Sequence, residues 1–160
     1  MKFVLCTFLL FALPASATIS QRQPPVSQWN SSSSSTCSAT LGSSYAQHDL
    51  IVVWTYWSTG SSSNNLTASV GDSVLPTSNT YVSAVGPTLQ LASNTYAQIF
   101  YVPSTNRTTG SGDTVKVTYS GTGSTTTSGC VFVEYQGADT LNPLDTVRSS
   151  WQNMQRLSLA

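Results

Sequence analysis

Residues 50–57 read Leu-Ile-Val-Val-Trp-Thr-Tyr-Trp, the strongest β-forming stretch of the chain. Aromatic and β-branched residues favour strands, and an almost unbroken apolar run is typical of a strand in the middle of a sheet. We therefore predict a central strand here. Side chains alternate along a strand, so Trp54 and Tyr56 share one face of it and Trp57 lies on the other.

Six weaker segments flank this strand and are separated by turn-forming Gly, Ser, Asn and Pro. We predict strands at residues 36–41, 66–70, 80–85, 96–102, 114–119 and 130–135, and a Gly/Ser/Thr loop at 121–129. The cleanest alternation puts Val115, Val117 and Tyr119 on one face. Seven short strands about ten residues apart, with no helical segment between them, indicate an all-β protein with an antiparallel β-sandwich.

The composition excludes two other classes. Of 160 residues only 8% are charged, with six Lys plus Arg and six Asp plus Glu, while 28 are Ser and 22 are Thr. One Glu and two Lys are too few to cover the exposed faces of an all-helical protein. The shortage of basic residues argues against a nucleic-acid partner, which needs a stripe of Lys and Arg.

The first residues have the organisation of an export signal. Lys2 precedes the apolar run 3–13, and Pro14 and the small residues 15–17 follow it. We predict a signal peptide at 1–17 and a secreted chain with no membrane span, because the run is too short to cross a bilayer. We predict three further segments: a Ser/Pro-rich leader (18–35), a sandwich domain (36–147) and a divergent tail (148–160). The five serines at 31–35 of the leader are expected to form a flexible linker.

Three cysteines fit this location. Cys6 leaves with the signal, and Cys37 and Cys130 remain as an even pair in an oxidising compartment. We predict a structural disulfide between them. The alternative, two separate reactive thiols, has little support because no basic residue flanks either cysteine.

Aromatic residues and carboxylates supply the candidate sites. Trp54, Tyr56 and Trp57 would bind a ligand if exposed, because aromatic rings on a flat sheet stack on sugar rings; otherwise they form the core. Asp139, Asn142 and Asp145 offer oxygens to calcium, although their spacing matches no EF-hand loop. Glu134 with Asp139 is a carboxylate pair of the kind that cleaves glycosides, the alternative for Glu134 being a sheet edge or a cross-strand pair with Lys116.

No catalytic residue is predicted from nucleophile motifs. The single histidine, His48, precedes Asp49, and we interpret the two as a polar turn before the central strand, because the chain has no G-x-S-x-G elbow. No C-x-x-C or H-x-H spacing points to a transition-metal site.

The order of these motifs resembles the immunoglobulin-like or jelly-roll β-sandwich domains of large secreted bacterial proteins. The matching segments are residues 50–54, 70–73, 79–81, 98–102, 113–118, 134–139 and 142–145. Such domains mostly have no assigned activity and continue for several strands beyond the last motif. The resemblance therefore implies a sandwich that is incomplete at its C-terminus, with open sheet edges through which chains could self-associate.

The function expected from these observations is that of a secreted, non-enzymatic module with a structural, adhesive or surface-binding role. The alternative is a carbohydrate-binding module, with calcium as a candidate stabilising ion. A third reading, a glycan-cleaving enzyme that uses Glu134 and Asp139, is the weakest. The expected partner is a glycan or another cell-surface ligand, and no other cofactor is implied.

Overall fold

The computed structural model describes residues 18–61, 65–73, 78–90, 94–105, 112–141 and 143. The predicted signal peptide and divergent tail lie outside these residues. Within them the chain forms nine strands and no helix, and hence no helix long and apolar enough to cross a membrane. The strands are β1 (Ser20–Gln21), β2 (Val26–Asn30), β3 (Thr36–Thr40), β4 (Leu50–Thr59), β5 (Asn65–Asp72), β6 (Val82–Gln90), β7 (Thr95–Val102), β8 (Thr114–Thr122) and β9 (Thr125–Gln136).

The strands form two antiparallel sheets that pack face to face. The larger sheet has the order β1-β9-β4-β7-β6, with β2 also paired to β9, and the smaller sheet has the order β3-β8-β5. All seven strands predicted from the sequence are present. The prediction of an all-β antiparallel sandwich is therefore confirmed.

The centre of the large sheet is β4, as its apolar run predicts. It pairs with β9 on one side and β7 on the other over almost its whole length. Every second side chain, from Ile51 through Val53 to Trp57, is completely buried against the small sheet. Across the interface, β8 contributes Val115, Val117 and Tyr119, so the alternation read from the sequence also assigns its inner face correctly.

A disulfide joins the two sheets through the core. Cys37 lies on β3 of the small sheet and Cys130 on β9 of the large sheet, with their Cα atoms 6.1 Å apart. Both residues are 1% exposed and belong to the hydrophobic cluster. The pairing predicted from the sequence is thus present, and it fastens the sheets to each other rather than a loop to a strand.

The segment interpreted as a leader contributes to the sandwich. β1 and β2 lie one after the other along the free edge of β9, where Gln21 is opposite Tyr135 and Val26 is opposite Phe132. The serines at 31–35 carry the chain from the large sheet to the small one, and Ser34 exchanges two hydrogen bonds with Thr125. These polar residues have no apolar period, so only their partners on β9 reveal them as part of the domain.

The loop expected at residues 121–129 is mostly strand. β8 continues to Thr122 and β9 begins at Thr125, which leaves a two-residue connection between the sheets. Gly121 and Gly123 adopt positive φ angles of 131° and 100°, which residues with a side chain rarely adopt. Threonine is β-branched, and residues 125–127 lie beside the last residues of β4, so this Thr-rich stretch extends the sheet.

One outer edge of the large sheet is irregular. β6 shifts register twice against β7, and the interruption contains Gly86 and Pro87. Proline lacks a donor for strand pairing, and bulges twist an edge away from other chains. This edge is therefore poorly suited to the self-association that open strand edges would allow, and such association stays a prediction.

Removal of the inter-sheet disulfide is expected to weaken the fold markedly. The bond closes a loop with a sequence separation of 93 residues. The Cys37→Ala/Cys130→Ala double variant should lose about 2–5 kcal/mol of unfolding free energy, measured by urea denaturation and tryptophan fluorescence. The wild type, reduced and alkylated while unfolded, serves as a second sample without the bond. Unfolding midpoints equal to that of the oxidised protein would contradict this role.

Candidate ligand-binding face

The outer side of the large sheet is apolar, although no described element covers it. The inward positions of β4 pack against the small sheet, whereas Val52, Trp54 and Tyr56 point the opposite way. Trp54 is 38% exposed, and Trp29 on β2, which is separated from β4 by β9, is 62% exposed. Exposed apolar side chains that lie together on a surface are a feature of interaction sites.

Three of these side chains form one aromatic cluster. The ring of Tyr56 lies between Trp29, at a centroid distance of 5.0 Å, and Trp54, at 5.6 Å. The rings are tilted against Tyr56 by 51° and 32°, respectively. We call Trp29, Trp54 and Tyr56 the aromatic platform.

The platform depends on a glycine between its two strands. Gly129 of β9 is paired with Trp29 on one side and with Tyr56 on the other. A Cβ atom there would lie 2.3 Å from the Tyr56 ring and 3.2 Å from the Trp29 ring. The two rings therefore cover the bare backbone of Gly129 and meet across it, an arrangement by which aromatic residues compensate for a glycine in a sheet.

The sequence predicted part of this platform. Trp54 and Tyr56 are on the outer face, but Trp57 is fully buried and stacks on Tyr96 at 5.4 Å with an angle of 9° between the rings. Trp57 is thus a core residue and cannot touch a ligand in this fold. The sequence did not point to Trp29. The only other apolar residue of β2, Val26, is three positions away and faces inward, so the two do not form the every-second-residue apolar pattern by which a strand is recognised.

The surroundings of the platform are uncharged. Along the paired positions of the large sheet, the outward side chains of the described residues include no Asp, Glu, Lys, Arg or His. Near Trp54 they are aliphatic, as with Val131 and Ile99. Beyond Tyr56 they become hydroxylic, and Ser58 is hydrogen-bonded to Thr95. The face therefore offers ring surface bordered by hydroxyl groups.

Glu134 lies far from the edge position predicted for it. It is fully buried on the inner side of β9, where its carboxylate accepts hydrogen bonds from Gln23 Nε2 and from Ala46 N, the latter at 2.9 Å. Lys116 lies on β8 of the other sheet, opposite Ser38 and Gly71, so the expected ion pair is wrong. The sequence did contain a signal, because Cys130 and Glu134 are four residues apart and therefore face the same way.

A second buried carboxylate accompanies Glu134. Asp49 is 4% exposed, forms an ion pair with Arg22 and lies within hydrogen-bonding reach of Glu134. The turn that contains His48 and Asp49 precedes β4 as predicted, with a φ of 69° at His48. His48 Nδ1 lies 3.1 Å from Ser104 Oγ on the surface, but the carboxylate of Asp49 is bound by Arg22, so these residues do not form a triad.

These groups hold the segment 41–49 over one end of the sandwich. Glu134 binds the backbone of Ala46, Asp113 Oδ2 accepts from the backbone N–H of Tyr45 at 2.9 Å, and Gln23 Oε1 accepts from that of Ser43 at 3.0 Å. A cleft of about 490 Å³ opens beside this segment, with Arg22 and Glu134 among its lining residues. Since the carboxylate of Glu134 already accepts hydrogen bonds from Gln23 and Ala46, we interpret it as structural.

The calcium prediction falls mainly outside the described residues. Asn142 and Asp145 are not among them, while Asp139 is exposed and accepts a hydrogen bond from the backbone N–H of Leu141 at 2.8 Å. Within the described ranges no three His, Cys, Asp or Glu side chains gather in a way that could hold a metal ion. The calcium site stays a prediction.

Comparisons with models of protein families, with curated proteins and with solved structures give no match for this chain. The resemblance to immunoglobulin-like or jelly-roll domains therefore stays a prediction. What the structure establishes is the sandwich itself and the aromatic platform on its large sheet.

The close approach at Gly129 predicts that Gly129→Ala disrupts the platform. The added methyl group would displace the Tyr56 and Trp29 rings, so the near-UV circular dichroism that arises from their coupling should diminish. Because the rings can swing outward, the loss of unfolding free energy should be only about 1 kcal/mol. Gly71→Ala is the matched control, since a Cβ there meets nothing within 4 Å. Unchanged near-UV spectra for Gly129→Ala would contradict the geometry.

The environment of Glu134 predicts a specific pH dependence of stability. Burial, together with the neighbouring Asp49 carboxyl, raises the pKa of Glu134 above its ordinary value of 4.5 and outweighs the bonds from Ala46 and Gln23. The folded state thus keeps its proton at a pH where the unfolded chain has lost it. The contribution of this group to the free energy of unfolding is complete below pH 4.5 and falls as the pH rises through the folded-state pKa.

Urea denaturation at a series of pH values tests this dependence. Glu134→Gln should flatten the decline above pH 4.5, because the amide does not ionise. Asp139→Asn is the control. It changes an exposed carboxylate five residues further along the chain and should leave the decline in place. A pH dependence of stability that is the same in Glu134→Gln as in the wild type would contradict this role of Glu134.

Proposed function

We propose that this chain is a secreted, non-enzymatic β-sandwich module that attaches to an extracellular surface through the outer face of its large sheet. The single observation that carries the proposal is the aromatic platform. It is exposed on a face that would carry polar residues if the sheet had no binding role. The predicted signal peptide and the disulfide between Cys37 and Cys130 support an extracellular location.

The arrangement of the ionisable groups supports a binding role over a catalytic one. Glu134 and Asp49 are buried and bonded to Gln23, Ala46 and Arg22. Their carboxylates therefore help to hold the segment 41–49 in place. Asp139, the other carboxylate considered for glycan cleavage, is exposed and caps the backbone of Leu141. A general acid must reach its substrate, whereas the side chain of Glu134 is fully buried and bonded to Gln23 and Ala46, although the residue borders the cleft beside segment 41–49.

The platform also favours a second candidate function, carbohydrate binding. Two tryptophans and a tyrosine on an open sheet supply the ring surface on which sugars stack, and their indole and phenol groups supply polar contacts. This function is a narrower form of surface attachment that uses the same residues.

Retention on surfaces tests the broader proposal. The mature chain is mixed with washed bacterial cells and with isolated cell envelopes, and the bound fraction is measured after centrifugation. We expect retention of the wild type and its loss in the Trp29→Ala/Trp54→Ala double variant, because the variant removes both exposed indoles of the platform. Val82→Ala, which shortens another exposed apolar side chain of the same sheet, is the control and should bind normally.

Retention that is equal in all three proteins would overturn the proposal for this face. Circular dichroism and urea denaturation establish that each variant is folded. Absence of retention for the wild type on every surface would overturn the attachment function itself.

A further inference from the structure

The chemistry of the platform narrows the class of ligand that it suits. We propose that the outer face of the large sheet binds a single chain of a neutral polysaccharide. This inference rests on the surface-attachment function and names the ligand of the same site. Its support comes from the lack of charged side chains at the described outward positions, the tilt of the rings and the position of the hydroxyl groups.

The charge of the face argues for a neutral ligand. No Lys, Arg or His points outward at the described, paired positions around Trp54 and Tyr56, so an acidic polymer would find no counter-charge. Equally, no carboxylate there would attract a basic protein. Desolvating a charged ligand against apolar rings without a partner is costly, whereas a neutral sugar presents C–H groups to the rings.

The tilt of the rings argues for a single chain over a crystalline surface. Trp29 and Trp54 are inclined to Tyr56 by 51° and 32°, so the three rings do not share a plane. The flat face of a crystalline polysaccharide could lie on one ring but not on all three. A free chain rotates about its glycosidic bonds, so successive sugars can each follow the inclination of one ring.

The hydroxyl groups give such a chain polar contacts at the border of the rings. Ser58, Thr95 and Thr127 lie on the outer side of β4, β7 and β9 just beyond Tyr56. Hydroxyl groups both donate and accept, as sugar hydroxyls do. The three rings supply stacking surface, and the hydroxyl groups beside Tyr56, of which Ser58 and Thr95 are hydrogen-bonded to each other, supply polar contacts. This combination suits a sugar chain better than an aliphatic ligand.

Affinity electrophoresis tests the inference with defined polymers. The wild type is run through native gels that contain hydroxyethylcellulose, galactomannan or amylose, three neutral chains of different linkage, and through gels with acidic polygalacturonate. We expect retardation by at least one neutral polymer and none by polygalacturonate. Trp29→Ala and Trp54→Ala should each weaken the apparent affinity about two- to tenfold, the range for loss of one aromatic contact. Val82→Ala should behave as the wild type.

Each other outcome overturns the inference. Retardation by polygalacturonate alone would show an acidic ligand, and binding to microcrystalline cellulose with none to the soluble neutral polymers would show a crystalline one. If no polysaccharide retards the chain, the same soluble polymers are added as competitors in the cell-envelope assay. Retention that persists there would leave the attachment function standing with a different ligand. A concentration-dependent dimer abolished by Trp54→Ala would instead assign the face to a second copy of the chain.

Discussion

The structure depends on one property of β4, which is apolar on both faces but covered on only one. Its inner face, with Ile51, Val53 and Trp57, builds the core against the three strands of the small sheet. Its outer face places Trp54 and Tyr56 on a six-stranded surface for which the described residues supply no second layer. A strand of this kind is expected in the middle of a three-layered protein. In the described part of this protein, which has two layers, it leaves Trp54 exposed on the outer face of the large sheet.

Several of the few ionisable side chains of this protein are buried in its interior. Of the few carboxylates in the chain, Asp49, Asp113 and Glu134 are buried and are used as acceptors for loop backbone or for Arg22. A buried carboxylate is tolerated when it receives such bonds. Asp49, Asp113 and Glu134 therefore hold the end of the sandwich near Glu134, while the described outward positions of the large sheet carry no charged side chain.

Much of the fold could be predicted from the sequence because local patterns of residue type determine it. Uninterrupted apolar residues identify β4, alternation identifies β8, and the compartment implied by the export signal identifies the disulfide. β1 and β2 could not be predicted, because they are short, polar and stabilised by pairing with β9 rather than by a period of their own. The platform was predicted only in part for a related reason. Alternation separates Trp54 and Tyr56 from Trp57, but with apolar residues on both faces it does not decide which face turns inward, and Trp29 joins the others only through the register of β2.

That register also explains how the platform is assembled. Trp29 and Tyr56 belong to strands that never meet, since β9 lies between them, and they touch because the intervening position is Gly129. The cysteine next to this glycine, Cys130, is fixed to the small sheet by the disulfide. The backbone beneath the rings is therefore anchored from the core side, while the rings hold each other on the outer side. Binding to rings that are already in place costs less conformational entropy than binding to side chains that must first be ordered. The disulfide thus joins the two sheets and also ties the backbone next to Gly129, beneath the platform, to the small sheet, which supports the binding proposed for these rings.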